Sequence, residues 1–106
     1  MTPVTFSDEA RADALEAFSF YQGRKLGLGI RFRDHLDLAI TRIREDPNRY
    51  PIVYGEEIRR RRIERFPYAI YFRIYPRMIY IVAVMHGRRS PDQWRRRVVP
   101  TDADDT

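Results

Sequence analysis

Cysteine is absent from the 106 residues, histidine occurs twice and lysine once. Without thiols there is neither a disulfide framework nor a thiolate metal site. Two isolated histidines, His35 and His86, give little support to metal binding or paired-histidine chemistry. No run of 18 apolar residues is present, so no membrane span is expected. The opening Met1-Thr2-Pro3-Val4 lacks the basic and apolar regions of a secretory signal, and cytoplasmic residence is the expectation. Glycine is sparse and never forms a phosphate-cradling loop; a Ser–His–Asp pattern is missing as well. No cofactor is expected, and no internal repeat is visible.

What is present is arginine. Nineteen of the 20 basic residues are Arg, Lys25 being the exception. Residues 58–100 carry 12 basic and 2 acidic side chains, whereas residues 1–57 carry 8 and 10. Such asymmetry suggests an anionic partner for the C-terminal half, either nucleic acid or an acidic protein segment. Arginine's planar fork suits bidentate recognition of phosphate or carboxylate, although a GC-rich genome would also enrich it. The length fits one domain, expected over residues 1–99, with residues 100–106 as a disordered acidic tail.

Periodicity divides the chain in two. Pro3 to Phe6 reads as a short strand. Ser7 is a natural N-cap, and Asp8 and Glu9 suit the first turn of a helix running to about Gln22. Ala10, Ala14, Ala17 and Tyr21 form its apolar stripe, widened by Leu15 and Phe18, and Gly23 supplies a stop. A second amphipathic helix spans about Leu28 to Glu45, with Leu28, Phe32, Leu36, Ala39 and Ile43 on one face, and Asp46-Pro47 ends it. The two should form an antiparallel hairpin. Asn48 to Glu57 then reads as a loop, followed by strands over Ile58–Phe66, Tyr68–Tyr75 and Met78–His86. The last is almost continuously apolar, the pattern of a central strand buried on both faces. Ser90-Pro91-Asp92 looks like the cap of a short helix reaching about Val98. The expected fold is α+β, in the order β-α-α-β-β-β, with a helical hairpin on one face of a small, largely antiparallel sheet.

Two segments carry a family resemblance. Arg65-Phe66-Pro67-Tyr68-Ala69-Ile70-Tyr71-Phe72-Arg73-Ile74 resembles the "PY.I.YR" strand of RelE/ParE superfamily toxins. Val84-Met85-His86-Gly87-Arg88-Arg89-Ser90-Pro91-Asp92-Gln93-Trp94 resembles the "HGRR.P..W" ending of its ParE branch. Phe6-Ser7-x-x-Ala10 opening a helix, with Asp13 and Leu15 inside it, extends the similarity over about Val4 to Arg97. The resemblance implies a growth-inhibiting toxin of a bacterial type II toxin–antitoxin pair, silenced by a co-expressed antitoxin that wraps around it. ParE-type members poison DNA gyrase without being nucleases, whereas RelE-type members cleave mRNA in the ribosome. RelE-type toxins place an arginine where this chain has Ala69, so a cation that would stabilise the cleaved phosphate is missing. Arg60 and Arg62 fall where those toxins carry lysines. The balance favours a gyrase inhibitor over an enzyme. The alternatives are a ribosome-dependent endoribonuclease using Arg60, Arg62, Arg73 and His86, and a degenerate member that binds antitoxin without toxicity.

The run Arg59-Arg60-Arg61-Arg62 is the most conspicuous binding candidate. In a strand, Arg60 and Arg62 face one side and Arg59 and Arg61 the other. Four adjacent guanidiniums repel one another unless anions answer some of them; the bland alternative is a charged edge strand that discourages edge pairing. Arg88, Arg89 and Trp94 form a second basic and aromatic group, Trp94 being equally suited to the core. Tyr71 and Arg73 share a face of the middle strand and are expected to line an antitoxin groove or to pack on a helix rather than to perform chemistry. His86 suits either general acid–base chemistry or a hydrogen bond that fixes the following turn. The expected partners are a net acidic, amphipathic antitoxin segment and DNA gyrase, with the ribosome and mRNA as the alternative target.

Overall fold

The computed structural model describes residues 2–89, 91–97 and 99. The expected tail at 100–106 and the cap at Ser90 lie outside the described residues, and the short C-terminal helix expected to reach about Val98 already ends at Arg95. Two helices, α1 (Asp8–Arg24) and α2 (Leu28–Glu45), pack as a hairpin on one face of a five-stranded sheet. The strands are β1 (Val4–Phe6), β2 (Ile52–Tyr54), β3 (Ile58–Arg62), β4 (Tyr68–Ile74) and β5 (Ile79–His86), in the spatial order β1-β5-β4-β3-β2. Only the β1–β5 pairing is parallel. A short helix, α3 (Asp92–Arg95), closes the described chain.

Ser7 caps α1 as its sequence suggests, its hydroxyl accepting the Ala10 N–H at 2.9 Å. The helix does not stop at Gly23. It runs through to Arg24, and the chain reverses at Gly27, whose φ of 90° lies in the left-handed region that glycine tolerates. Gly29 matters for a different reason: a Cβ there would lie 2.6 Å from the Phe18 carbonyl oxygen, so glycine lets the two helices approach. Leu15, expected to widen the buried stripe of α1, is 63% exposed instead. On α2 the stripe is as expected, with Phe32, Leu36, Ala39 and Ile43 all buried.

The loop expected over Asn48–Glu57 contains β2, an edge strand antiparallel to β3. Consequently β3 is not an edge, and the edge-protection account of its arginines does not apply. The strand is also shorter than expected. It ends at Arg62, Ile63 turns into the core, and Arg65 takes a positive φ of 68° in the turn to β4. Central β5 is buried on both faces, between β1 and β4.

Two cores result. The helix-covered face gathers Phe32, Ile43, Ile63, Ile70, Phe72 and Ile81, among others. The opposite face gathers Ile58, Ala69, Tyr71, Ala83, Met85 and Trp94, the last brought over the sheet by α3. A register shift opposite Tyr71/Phe72 makes Val82 an extra residue in β5. Short β1 ends below this point, so β5 would expose unpaired backbone groups there. Three side chains answer them. The Ser7 hydroxyl and Arg97 Nη1 donate to the Val82 carbonyl at 3.3 and 3.0 Å, and Asp13 Oδ2 accepts the Val84 N–H at 3.0 Å. Asp13 also holds Arg97 through two bonds of 2.6 and 3.0 Å, tying the segment after α3 to α1. These bonds from Asp13 push the Arg97 pKa above its ordinary value despite the opposing effect of burial.

Candidate functional site

The pleat splits the arginine run as alternation demands. Arg59 and Arg61 stand opposite Phe72 and Ile70, on the helix side of the sheet. Arg59 Nη1 donates to the carbonyls of Asn48 and Tyr50 at 3.0 and 2.5 Å, fixing the segment that leads into β2. Arg61 donates to the Arg62 carbonyl and reaches Glu64 at 3.9 Å. Arg60 and Arg62 stand opposite Tyr71 and Ala69, on the open side.

There they enter a cleft of about 350 Å³, together with Arg88, His86, Tyr68 and Phe66. No carboxylate lines it. Among the described residues Arg60, Arg62 and Arg88 have no acidic partner. Six other arginines, Arg42, Arg61, Arg73, Arg89, Arg95 and Arg97, each face an acid. Desolvation pushes the Tyr68 hydroxyl pKa up, the nearby Arg89 opposing, so the phenol stays a neutral donor at physiological pH. The cleft thus offers cations and hydrogen-bond donors to an anion and no competing negative charge.

His86 is held in place by its own turn. Its Nδ1 accepts the Arg88 N–H at 3.0 Å, and its ring stands edge-to-face with Tyr68, centroids 5.4 Å apart. The neutral ring therefore carries its proton on Nε2. The Gly87 N–H donates to the Pro67 carbonyl at 2.7 Å, completing the turn that presents Arg88.

Other expected site residues are placed elsewhere. Arg73 lies toward the far end of β4, 3.1 Å from Glu57 and 4.5 Å above the Tyr75 ring, and does not line the cleft of Arg60, Arg62 and His86. Arg89 points to Glu16 on α1 at 3.3 Å. Trp94, suited by its sequence equally to a binding surface or the core, is 3% exposed and stacked on Tyr71 at 4.4 Å, with Tyr54 edge-on at 5.6 Å. It roofs the second core. Tyr71 lines the cleft from beneath that roof and is itself buried.

Sequence reasoning missed a neighbouring cleft of about 340 Å³ on the helix side of the β3–β4 turn. Arg31 and His35 of α2, Arg65 of the turn and Tyr21 of α1 line it. Phe66 and Pro67 belong to both clefts and form the ridge between them. Arg31 and Arg65 are far apart in the chain, and the positive φ at Arg65 that marks the place is invisible in sequence.

Comparison with solved structures agrees with the fold. A chain of the structure described as a chromosomal ParDE TA system from P. aeruginosa superposes with a TM-score of 0.71 at 16% identity. The match covers 81% of this chain and 96% of that one, a likeness of fold alone. No curated protein matches the sequence. The family described as the ParE toxin of type II toxin–antitoxin system, parDE, matches residues 4–91, which include the helical hairpin, the whole sheet and every residue lining the two clefts. This chain belongs to the ParE toxin family of type II toxin–antitoxin systems.

Proposed function

We propose that this toxin acts in the cytoplasm by binding DNA gyrase rather than by cutting RNA. A co-expressed antitoxin neutralises it by laying an amphipathic, net acidic segment over the same arginines. The observation that carries this reading is the make-up of the Arg60–Arg62–Arg88 cleft. It is rich in cations that no acid answers and holds no carboxylate, and position 69, where RelE-type toxins carry an arginine, is a buried alanine. Such a surface suits binding to an acidic protein segment. Phosphodiester cleavage would need a positioned acid and base and a cation at the developing charge.

Inducing the gene in bacteria should trigger the DNA-damage response and filamentation before translation falls, and the purified protein should inhibit gyrase supercoiling. Rapid cleavage of transcripts within ribosomes, with supercoiling untouched, would overturn the reading. That outcome belongs to the alternative, a ribosome-dependent endoribonuclease, which is supported by one observation: Arg60, Arg62 and His86 do line a single cleft.

A further inference from the structure

The cleft around Arg31, His35 and Arg65 lies on the helix side of the β3–β4 turn. It draws cations from α2 and from the β3–β4 turn, and no carboxylate lines it. Among the described residues neither Arg31 nor Arg65 has an acidic partner. His35 Nδ1 is buried with no hydrogen-bond partner, an arrangement that costs stability unless something answers it. Arg65 holds a positive φ, a conformation uncommon for arginine and of the kind often kept at binding sites. The Tyr21 hydroxyl, its pKa raised first by burial and then by Tyr68, stays a neutral donor on the same wall.

Phe66 and Pro67 are walls of this cleft and of the Arg60–Arg62–Arg88 cleft alike. We propose that the two form one bipartite site for an acidic protein segment that crosses the Phe66–Pro67 ridge. One carboxylate sits against Arg60, Arg62 and Arg88, and a second against Arg31 and Arg65. The inference rests on the reading of the first cleft as an anion-binding surface and adds Arg31 and Arg65 to it.

Charge alone would admit single-stranded nucleic acid, but the aromatic rings argue for a peptide. Stacking with bases requires free ring faces. Phe66 is engaged by Tyr21 at 4.8 Å, Phe32 at 5.2 Å and His35 at 5.7 Å. Tyr68 is engaged by Phe32 and His86, and Tyr71 lies under Trp94. What remains accessible is guanidinium, which pairs with carboxylates in bidentate fashion, together with an apolar ridge for the side chains between them.

The test uses the full chain and fluorescein-labelled hexaglutamate, followed by anisotropy at about 50 mM salt, where exposed charges are weakly screened. Arg31→Glu/Arg65→Glu should weaken binding about ten-fold, as like charges now meet at the contact. Arg60→Glu/Arg62→Glu should do at least as much. Arg11→Glu/Arg77→Glu changes the net charge equally on exposed residues outside both clefts and should alter affinity less than about three-fold. Circular dichroism melts confirm that each variant folds.

Unchanged binding in Arg31→Glu/Arg65→Glu, with a loss in Arg60→Glu/Arg62→Glu, overturns the bipartite site and leaves the first cleft standing. Unchanged binding in both overturns the anion-binding reading itself. A loss in the Arg11/Arg77 control as large as in the cleft variants reduces the effect to net charge and also overturns the site. Binding of labelled hexathymidylate more than ten-fold tighter than hexaglutamate, with the same variant pattern, would assign the track to nucleic acid and overturn the peptide.

Discussion

On the helix-covered side of the sheet, Arg59 and Arg61 spend their hydrogen bonds on the protein itself, on the carbonyls of Asn48, Tyr50 and Arg62 and on Glu64. One residue along in each case, Arg60 and Arg62 turn to the open side and form no ion pair among the described residues. Identical side chains in one unbroken run therefore divide between those that bond to the fold and those left without an acid, and the pleat decides which is which. The two cores divide in a parallel way. The helix-side core carries large side chains from both helices and three strands. The open-side core is smaller, roofed only by α3 and anchored by Arg97.

The largest effect that tests this contrast is in the helix-side core. Phe32 is fully buried and packs against Tyr21, Phe66 and Tyr68 at centroid distances of 5.2–5.5 Å. Phe32→Ala should cost about 3–5 kcal/mol, from lost transfer energy and the cavity left behind. A loss that size leaves little of the stability usual for a domain this small, so the denaturation midpoint should collapse. A drop below about 1 kcal/mol would show that the hairpin is not the main support of the sheet.

Next comes the anchor of the open side. Asp13→Ala leaves the Val84 N–H unanswered and the Arg97 guanidinium without its carboxylate, both in a mostly buried setting. The expected cost is about 2 kcal/mol, less than for a fully buried pair because some solvent reaches both groups. That corresponds to a melting temperature roughly 10 °C lower. Amide exchange should quicken first at Val84 and along the unpaired edge of β5. Uniform exchange across both cores would instead mean that the two sides unfold as one unit.

How much of this was legible in the sequence follows from how local each signal is. The α2 stripe, the continuous apolar β5 and the alternation of the arginines depend on neighbours in the chain, and all three read correctly. β2 did not, because Ile52, Val53 and Tyr54 are all exposed at an edge, follow a proline and show no alternation of burial. Gly23 looked like a stop, yet the reversal needs a positive φ, and Gly27 supplies it. The Asp13–Arg97 pair and the Arg31–Arg65 cleft join residues far apart in sequence and are set by packing alone. For the candidate site, the sequence offered Arg59 to Arg62, Tyr71, Arg73, Arg88, Arg89 and Trp94, with His86 for the ribonuclease alternative, and the cleft gathers Arg60, Arg62, Tyr71, His86 and Arg88 of these. Trp94 is turned inward by α3, and Arg73 lies near the end of β4 beside Glu57.

A sharper form of the arginine comparison uses paired substitutions in one strand. Arg59→Ala/Arg61→Ala should destabilise the fold by about 1–2 kcal/mol, since charge-assisted bonds to the Asn48 and Tyr50 carbonyls are lost. Inhibition by whatever remains folded should be retained. Arg60→Ala/Arg62→Ala should leave the stability within about 0.5 kcal/mol of the parent, as surface changes usually do. Supercoiling inhibition and antitoxin affinity should both fall in that variant. The reverse assignment, with stability lost in the second pair and activity in the first, would contradict the division by the pleat.

The smallest expected effect discriminates most between mechanisms. His86 contributes one accepted hydrogen bond, from the Arg88 N–H, in an exposed turn. His86→Ala should thus cost roughly 0.5–1 kcal/mol of stability. The turn has a second fastening in the Gly87 N–H bond to the Pro67 carbonyl, so Arg88 keeps its place and gyrase inhibition should change little. A nuclease relying on His86 for proton transfer would behave otherwise, losing about 10²–10⁴ of its rate in the same variant. Measured side by side with Arg60→Ala/Arg62→Ala on growth arrest, the two readings separate cleanly. Binding predicts that the arginine pair matters and the histidine does not; catalysis predicts that both do. A folded His86→Ala protein that no longer arrests growth would move the assignment from gyrase to RNA cleavage, with Arg60 and Arg62 becoming the phosphate-binding residues of that reaction.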